Sequence, residues 1–437
     1  MSSKKCRELK SVVEIRHFRA ICYTEKAGNP ENLITQPYDK IDSELQKAYY
    51  EKSPYNYCRL ILPLEPNKYE IAQQRISEWL KEGIIKKDEQ TAIFVSRQQF
   101  CLNGKKYERT GIIAALRLYD YKENMVFPHE GTYKAPKADR LNMMRTVQKD
   151  LEPVFLMYSD PECRTIKFLQ EISVTEPFLQ VTDQLNVTHT IWRVSDTDKI
   201  GQIQTELASK SMVITDGHHR YESALAYRNE MRNMGGWTGD SAFNFHLSYM
   251  VPVQEEGLVV LPTHRLLKEV KLTPEVVEEL RRFFDLTEIK TLTAEALENY
   301  LKSRINQHAF CVYDGSKAFG LTLKHDKVVF DFVNENVSQE TKTFDVVILR
   351  DIIFKHVLHT GELNMDENIL YARWAKEAVD KVNSGEASIA FLVNPINAKT
   401  VVDIALQHEL LPEKSTDFYP KMVSGLMMMD ISSSEKL

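Results

Sequence analysis

The sequence predicts a mixed α+β chain of two domains, and three observations carry that expectation. Two extended runs, Ala92 to Phe100 and Tyr107 to Leu118, flank Asn103-Gly104, the dipeptide that suits a tight β-hairpin turn. Ala72, Ile76, Trp79 and Leu80 recur at helical spacing, with Gly83 placed to stop the helix. A short apolar run, Met212 to Ile214, ends at Gly217 and opens a helical pattern. The 437 residues exceed one ordinary core.

Taken in order, Val12 to Ile21 alternates as a first strand, and Ile34 to Asp39 follows as a loop ending in Pro37-Tyr38-Asp39. The 72–80 helix and the 92–118 hairpin come next. Pro128 to Arg140 is too polar for core, and a helix resumes near Leu141. Phe243 to Val253 reads as a strand, turned by Glu255-Glu256-Gly257, and Leu258 to Leu261 runs back toward Pro262-Thr263-His264-Arg265. Thr273-Pro274 starts a helix carrying Val276, Val277, Leu280, Phe283 and Phe284. Strands are expected around Phe310, Leu321 and Val329, then a helix over 345–358 with Ile348, Leu349, Ile352, Ile353 and His356 at core spacing. The domains are expected to be 1–268 and 269–437.

Composition narrows the function classes. Hydrophobic residues at 43% and charged ones at 27% describe a globular chain rather than a disordered one. Net charge is -6 and the basic residues are dispersed, which disfavours nucleic-acid binding. No segment has the length of a membrane span. Four of the first ten residues are Lys or Arg, but no apolar stretch follows them, so a secretory signal is not expected. Six cysteines lie far apart without a C-x-x-C pair, which excludes a zinc ribbon or redox dithiol and fits a reducing cytoplasm.

Asp216-Gly217-His218-His219-Arg220 carries the chemistry. A strand that stops at a glycine and opens a helix aims free backbone N–H groups and the positive helix end at one spot, where phosphate fits. The competing reading is a polar helix start with a solvated Arg220. Neither a P-loop nor a G-x-G-x-x-G fingerprint is present. Polar clusters recur at other expected strand ends: Tyr38-Asp39, His129-Glu130, Lys137 with Asp139-Arg140, Thr263-His264-Arg265, and Lys414-Ser415-Thr416. Such a cation-rich set suits a multiply charged anion, because phosphoryl transfer relies on positioning and charge neutralisation. Asp39 reads equally as a turn residue, Thr263 as the cap of a helix beginning near His264, and 414–416 as a surface turn. Adjacent His218 and His219 point to different faces and lack partner ligands, which disfavours zinc.

V-I-T-D-G-H-H-R-Y-E-S-A-L-A-Y-R (213–228), with P-Y-D (37–39), P-H-E-G-T (128–132), L-P-T-H-R (261–265) and P-E-K-S-T-D-F-Y-P-K (412–421), resembles the family catalogued as domain of unknown function 1015. The resemblance implies a ParB/sulfiredoxin-like phosphate-binding core with a second α+β domain that lends a turn to the site. It also implies kinship with pyrophosphate-dependent kinases of free L-serine. Carried over, Gly217, His218, His219 and Arg220 would cradle phosphate, with Thr263, His264, Arg265, Lys137 and Arg140 as further phosphate contacts. Asp216 would hold Mg2+ or position the nucleophile, and Glu130, Asp39 and Asp216 are the candidate bases. Tyr38, His129, Thr132, Lys414, Ser415 and Thr416 would meet serine. The chain departs from the ParB pattern in having no helix-turn-helix, and from sulfiredoxin in placing His218 where a cysteine would stand. The expected activity is phosphoryl transfer from pyrophosphate to L-serine in the cytoplasm. An ATP- or ADP-dependent kinase and a nucleotide-binding regulator are the alternatives, and a monomer and a homodimer both stay open.

Overall fold

A computed structural model describes residues 12–132, 134–333, 336–360 and 368–437. The chain is mixed α/β and divides into two units. Residues up to Val259 together with Pro420–Leu437 form the first, and Val260–Tyr419 form the second. The division therefore falls ahead of the expected boundary at 268, and the chain returns to the first unit after Tyr419.

In the first unit a mixed sheet runs in the order Val126–Phe127, Met212–Asp216, Val154–Tyr158, Phe245–Pro252, Lys105–Arg117, Ile93–Leu102, Thr188–Val194, Leu179–Thr182, with Ile15–Arg16 also paired to Lys105–Arg117. The hairpin expected at Asn103-Gly104 is present: Leu102 faces Lys105, and the two turn residues take φ of 51° and 77°. Positive φ at both positions is what a two-residue turn needs to match strand twist. The central strands 154–158 and 245–252 are buried along their whole length, as strands covered on both faces must be.

A second, four-stranded sheet joins Ile85–Lys87, Ala20–Tyr23, Met428–Asp430 and Lys149–Asp150. The single strand expected over 12–21 is thus two short strands in different sheets. The ladder partners that split it lie far away in sequence. Asp430 receives Lys87 and Lys149, each at 3.1 Å. Burial alone would raise its pKa, but Lys149 and hydrogen bonds from Ser432 and Lys87 hold it down at about 2.

The second unit is built on an antiparallel sheet ordered Phe284–Glu288, Ala318–Leu323, Ala309–Tyr313, Ile389–Val393, His264–Leu267, Ile369–Ala372. Helix Pro274–Phe283 begins as expected, with the Thr273 hydroxyl accepting from Val276 N at 3.4 Å.

Three expectations are corrected. Val329 lies in helix Lys327–Phe332, because a three-residue apolar run does not distinguish strand from helix. His264 starts a fully buried strand rather than a capped helix, held by ladders to 369–372 and 389–393. The helix expected near Leu141 begins at Lys134, with Pro136 in its first turn, where a missing N–H costs nothing. The 345–358 helix is present, as an α-turn at Asp345–Ile348 continued by a wider π-helical stretch, Leu349–Val357.

Candidate active site

Strand Met212–Asp216 shifts register against Val154–Tyr158 between Ile214 and Asp216, which turns its end out of the ladder. Gly217 follows at φ 92° and helix His218–Asn233 begins. A Cβ at Gly217 would sit 2.8 Å from Arg220 Nε and 2.9 Å from its Cζ, so the guanidinium lies directly under the glycine. Both the backbone angle and the space demand glycine there. Gly217→Ala is expected to cost about 1–2 kcal/mol in backbone strain alone, and more as Arg220 is displaced, read as a lower urea midpoint.

Arg220 is buried. Its Nη2 donates to Asp216 Oδ2 at 2.7 Å and its Nη1 to the Pro153 carbonyl at 2.5 Å, while Nε has no hydrogen-bond partner. The competing reading of a solvated arginine therefore fails. The other oxygen of Asp216 accepts from Lys421 Nζ at 2.6 Å. Burial pushes the Asp216 carboxyl up, but Lys421 and Arg220 outweigh it and hold the group well below the carboxylate range. Lys421 ends the 412–421 motif, yet no sequence signal gave it a role.

On one side of the turn stand His129 and Glu130. His129 is fully buried, and its Nδ1 lies 2.6 Å from the Ile214 carbonyl. A carbonyl only accepts, so Nδ1 carries a proton. His129 Nε2 lies 3.5 Å from Glu130 Oε1, which sets an imidazole and a carboxyl side by side.

The His129 backbone N–H donates to His218 Nε2 at 3.4 Å, and the two rings meet edge to face at 4.7 Å. His218 is accordingly a neutral acceptor. Burial first, then the His129 ring, lower its pKa from 6.5 to about 3. A base whose folded pKa is depressed contributes stability that is complete above its unfolded value and is lost as pH falls. Stability is expected to decline from pH 6.5 toward 3, and His218→Gln to flatten part of that decline in urea titrations.

The remaining residues of the first unit frame the turn. Thr132 Oγ1 and Lys137 Nζ both donate to Glu222 Oε2, at 2.9 and 2.7 Å, which ties the 128–137 segment to the helix after Gly217. Tyr38 N donates to Glu152 Oε1 at 3.1 Å, and the Arg140 guanidinium lies 4.2 Å over the Tyr38 ring. Asp39 is exposed in the 38–40 turn, within electrostatic reach of Arg220. His219 is half-buried at the helix start. Glu152 and Glu222 organise these side chains, and sequence reading missed both.

In the second unit the structure brings two predicted clusters together. Arg265 donates from Nη1 to the Thr263 carbonyl at 3.0 Å and from Nη2 to the Lys414 carbonyl at 3.4 Å. Ser415 Oγ donates to the Pro412 carbonyl, and Thr416 follows it. His264 is buried, accepts from Val393 N at 3.3 Å, and is driven down to about 4 by burial and Arg265. It is a neutral strand residue, not a cation.

Among the described residues no helix is long and apolar enough to cross a membrane, and no three His, Cys, Asp or Glu side chains group as metal ligands. Magnesium needs only one or two carboxylates besides phosphate oxygens. Each oxygen of Asp216 already faces a cation, however, so the arrangement fits Mg2+ poorly.

No curated protein matches the sequence. A solved free serine kinase in complex with AMP aligns at 14% identity and TM-score 0.35, over 72% of this chain and 90% of its own. A conserved hypothetical protein from Pyrococcus furiosus aligns at 16% identity and TM-score 0.33, over 72% and 94%. C-terminally truncated SbnI from Staphylococcus aureus aligns at 9% identity and TM-score 0.33, over 72% and 87%. The family model described as protein of unknown function (DUF1015) matches residues 15–347, most of the chain, and the chain belongs to that family.

Proposed function

We propose that the protein is a phosphotransferase that moves a phosphoryl group from pyrophosphate to the hydroxyl of free L-serine, giving O-phospho-L-serine and phosphate. The observation that carries phosphoryl transfer is the Gly217 turn: a left-handed glycine opening a helix, with a buried guanidinium beneath it and a carboxyl–imidazole pair beside it. The helix start offers its N–H groups and positive end to the donor. Serine as acceptor follows the family resemblance of the 128–132 and 213–228 motifs.

Glu130 is the proton acceptor of this reading. Asp216 is unsuited to it, since a carboxylate held far below neutrality by two cations takes a proton poorly. The serine hydroxyl gives its proton to Glu130 as its oxygen bonds to phosphorus, and the bridging P–O bond of pyrophosphate breaks, so that the electron pair leaves on phosphate. Asp216 fixes Arg220 and Lys421 around the turn.

Purified protein with serine and magnesium, offered pyrophosphate, ADP and ATP in turn, tests the reading by quantifying phosphoserine and phosphate. Phosphoserine from pyrophosphate is expected. Phosphoserine from ADP or ATP alone would move the donor to a nucleotide, phosphate release independent of serine would make the protein a hydrolase, and ligand binding without transfer would make it a regulator.

A further inference from the structure

Lys421 reaches Asp216 from a segment that is fixed from within the sheet. Arg109 is fully buried on the 105–117 strand, its guanidinium 4.7 Å from the Phe155 ring. It donates from Nη2 to the Pro420 carbonyl at 2.6 Å and from Nε to Gln98 Oε1 at 3.1 Å. Gln98, also fully buried, donates from Nε2 to the Lys421 carbonyl at 3.2 Å. The same Nε2 lies 3.5 Å from His189 Nδ1, which must then accept, leaving the His189 proton on Nε2, 3.1 Å from Asp183 Oδ2. Asp183 Oδ1 in turn accepts from Leu185 N at 2.8 Å and Val187 N at 3.0 Å. The chain Asp183–His189–Gln98–Arg109 is thus a directed hydrogen-bond network with an anion at one end and a cation at the other, and its outputs are two consecutive carbonyls, those of Pro420 and Lys421.

A buried arginine, glutamine and histidine are costly unless their bonds are complete, and apolar residues would fill the same space more cheaply. We infer that Gln98 and Arg109 are positioning residues for the candidate active site: they hold the Pro420–Lys421 backbone so that the Lys421 ammonium meets Asp216. The inference rests on the phosphotransferase reading for its effect on catalysis, but not for the tether itself.

Two measurements test it on the full chain. Trypsin cleavage after Lys421 reports how firmly the segment is held. In a Gln98→Leu/Arg109→Met double variant, which removes the Gln98–Arg109 pair together and releases the Pro420 and Lys421 carbonyls, cleavage at Lys421 is expected to rise about tenfold or more relative to the Lys414 site. Phosphoserine formation is expected to fall by about the same factor as in Lys421→Met, about a hundredfold, and the triple variant is expected to be no worse. Gln98→Glu keeps an acceptor for Arg109 while losing the donor to the Lys421 carbonyl, and gives the same test if the double variant does not fold. Unchanged cleavage at Lys421 in a folded variant, or losses that multiply in the triple variant, would overturn the inference. Wild-type protein that forms no phosphoserine from any donor would sink the reaction instead, and the cleavage rates would then decide the tether alone.

Discussion

Glu130→Gln is expected to abolish most of the proposed phosphoserine formation, with turnover falling about a thousandfold while pyrophosphate binding changes little. The amide keeps the size and the hydrogen-bonding reach of the carboxyl but cannot accept the serine proton. It also removes the carboxylate charge beside His129, whose Nε2 lies 3.5 Å from Glu130 Oε1. Steady-state kinetics with pyrophosphate and serine check this, with calorimetric titration of pyrophosphate as the binding control. A Glu130→Gln enzyme within tenfold of wild type would remove Glu130 as the base and return the role to Asp39, which is exposed and free to meet an acceptor.

Asp216→Asn is expected to destabilise the first unit by about 3–5 kcal/mol, the usual consequence of removing one partner from a buried charge cluster. The asparagine leaves the buried Arg220 and Lys421 without their shared counter-charge. Because the folded pKa of Asp216 is depressed, its contribution is present above the unfolded carboxylate range and is lost as pH falls below it. The variant should therefore lose stability at neutral pH and show less additional loss in acid than wild type. Urea denaturation at pH 7 and at about pH 2.5, below the unfolded carboxylate range, reads both effects. A loss under about 1 kcal/mol at pH 7 would mean that the two cations are solvated rather than clamped.

What could be read from the sequence was local. Asn103-Gly104, Gly217 before its helix, and Thr273-Pro274 each announce themselves because their backbone requirements are met by residues next to them in the chain. The ends of the 12–21 segment, the strand identity of His264–Leu267 and the helix at Lys327–Phe332 depend on partners elsewhere, and periodicity was silent or misleading there. The candidate site divides the same way. Asp216, Gly217 and Arg220 are contiguous and were read together. Lys421 lies 205 residues from Asp216, and Arg109 follows Lys105-Lys106-Tyr107-Glu108, a mostly charged start to its strand. Charge at position 109 gives no hint of full burial until the 420–421 carbonyls are in place.

The interrupted first unit also orders events during synthesis. Strand Met428–Asp430 completes the four-stranded sheet by pairing with Ala20–Tyr23 and Lys149–Asp150, and it emerges from the ribosome only after all of Val260–Tyr419. The second unit is continuous and can fold co-translationally while the first still lacks a strand. A nascent chain halted before Pro420 would have neither that strand nor Lys421, so chaperone demand should concentrate on the first unit while the second is already whole.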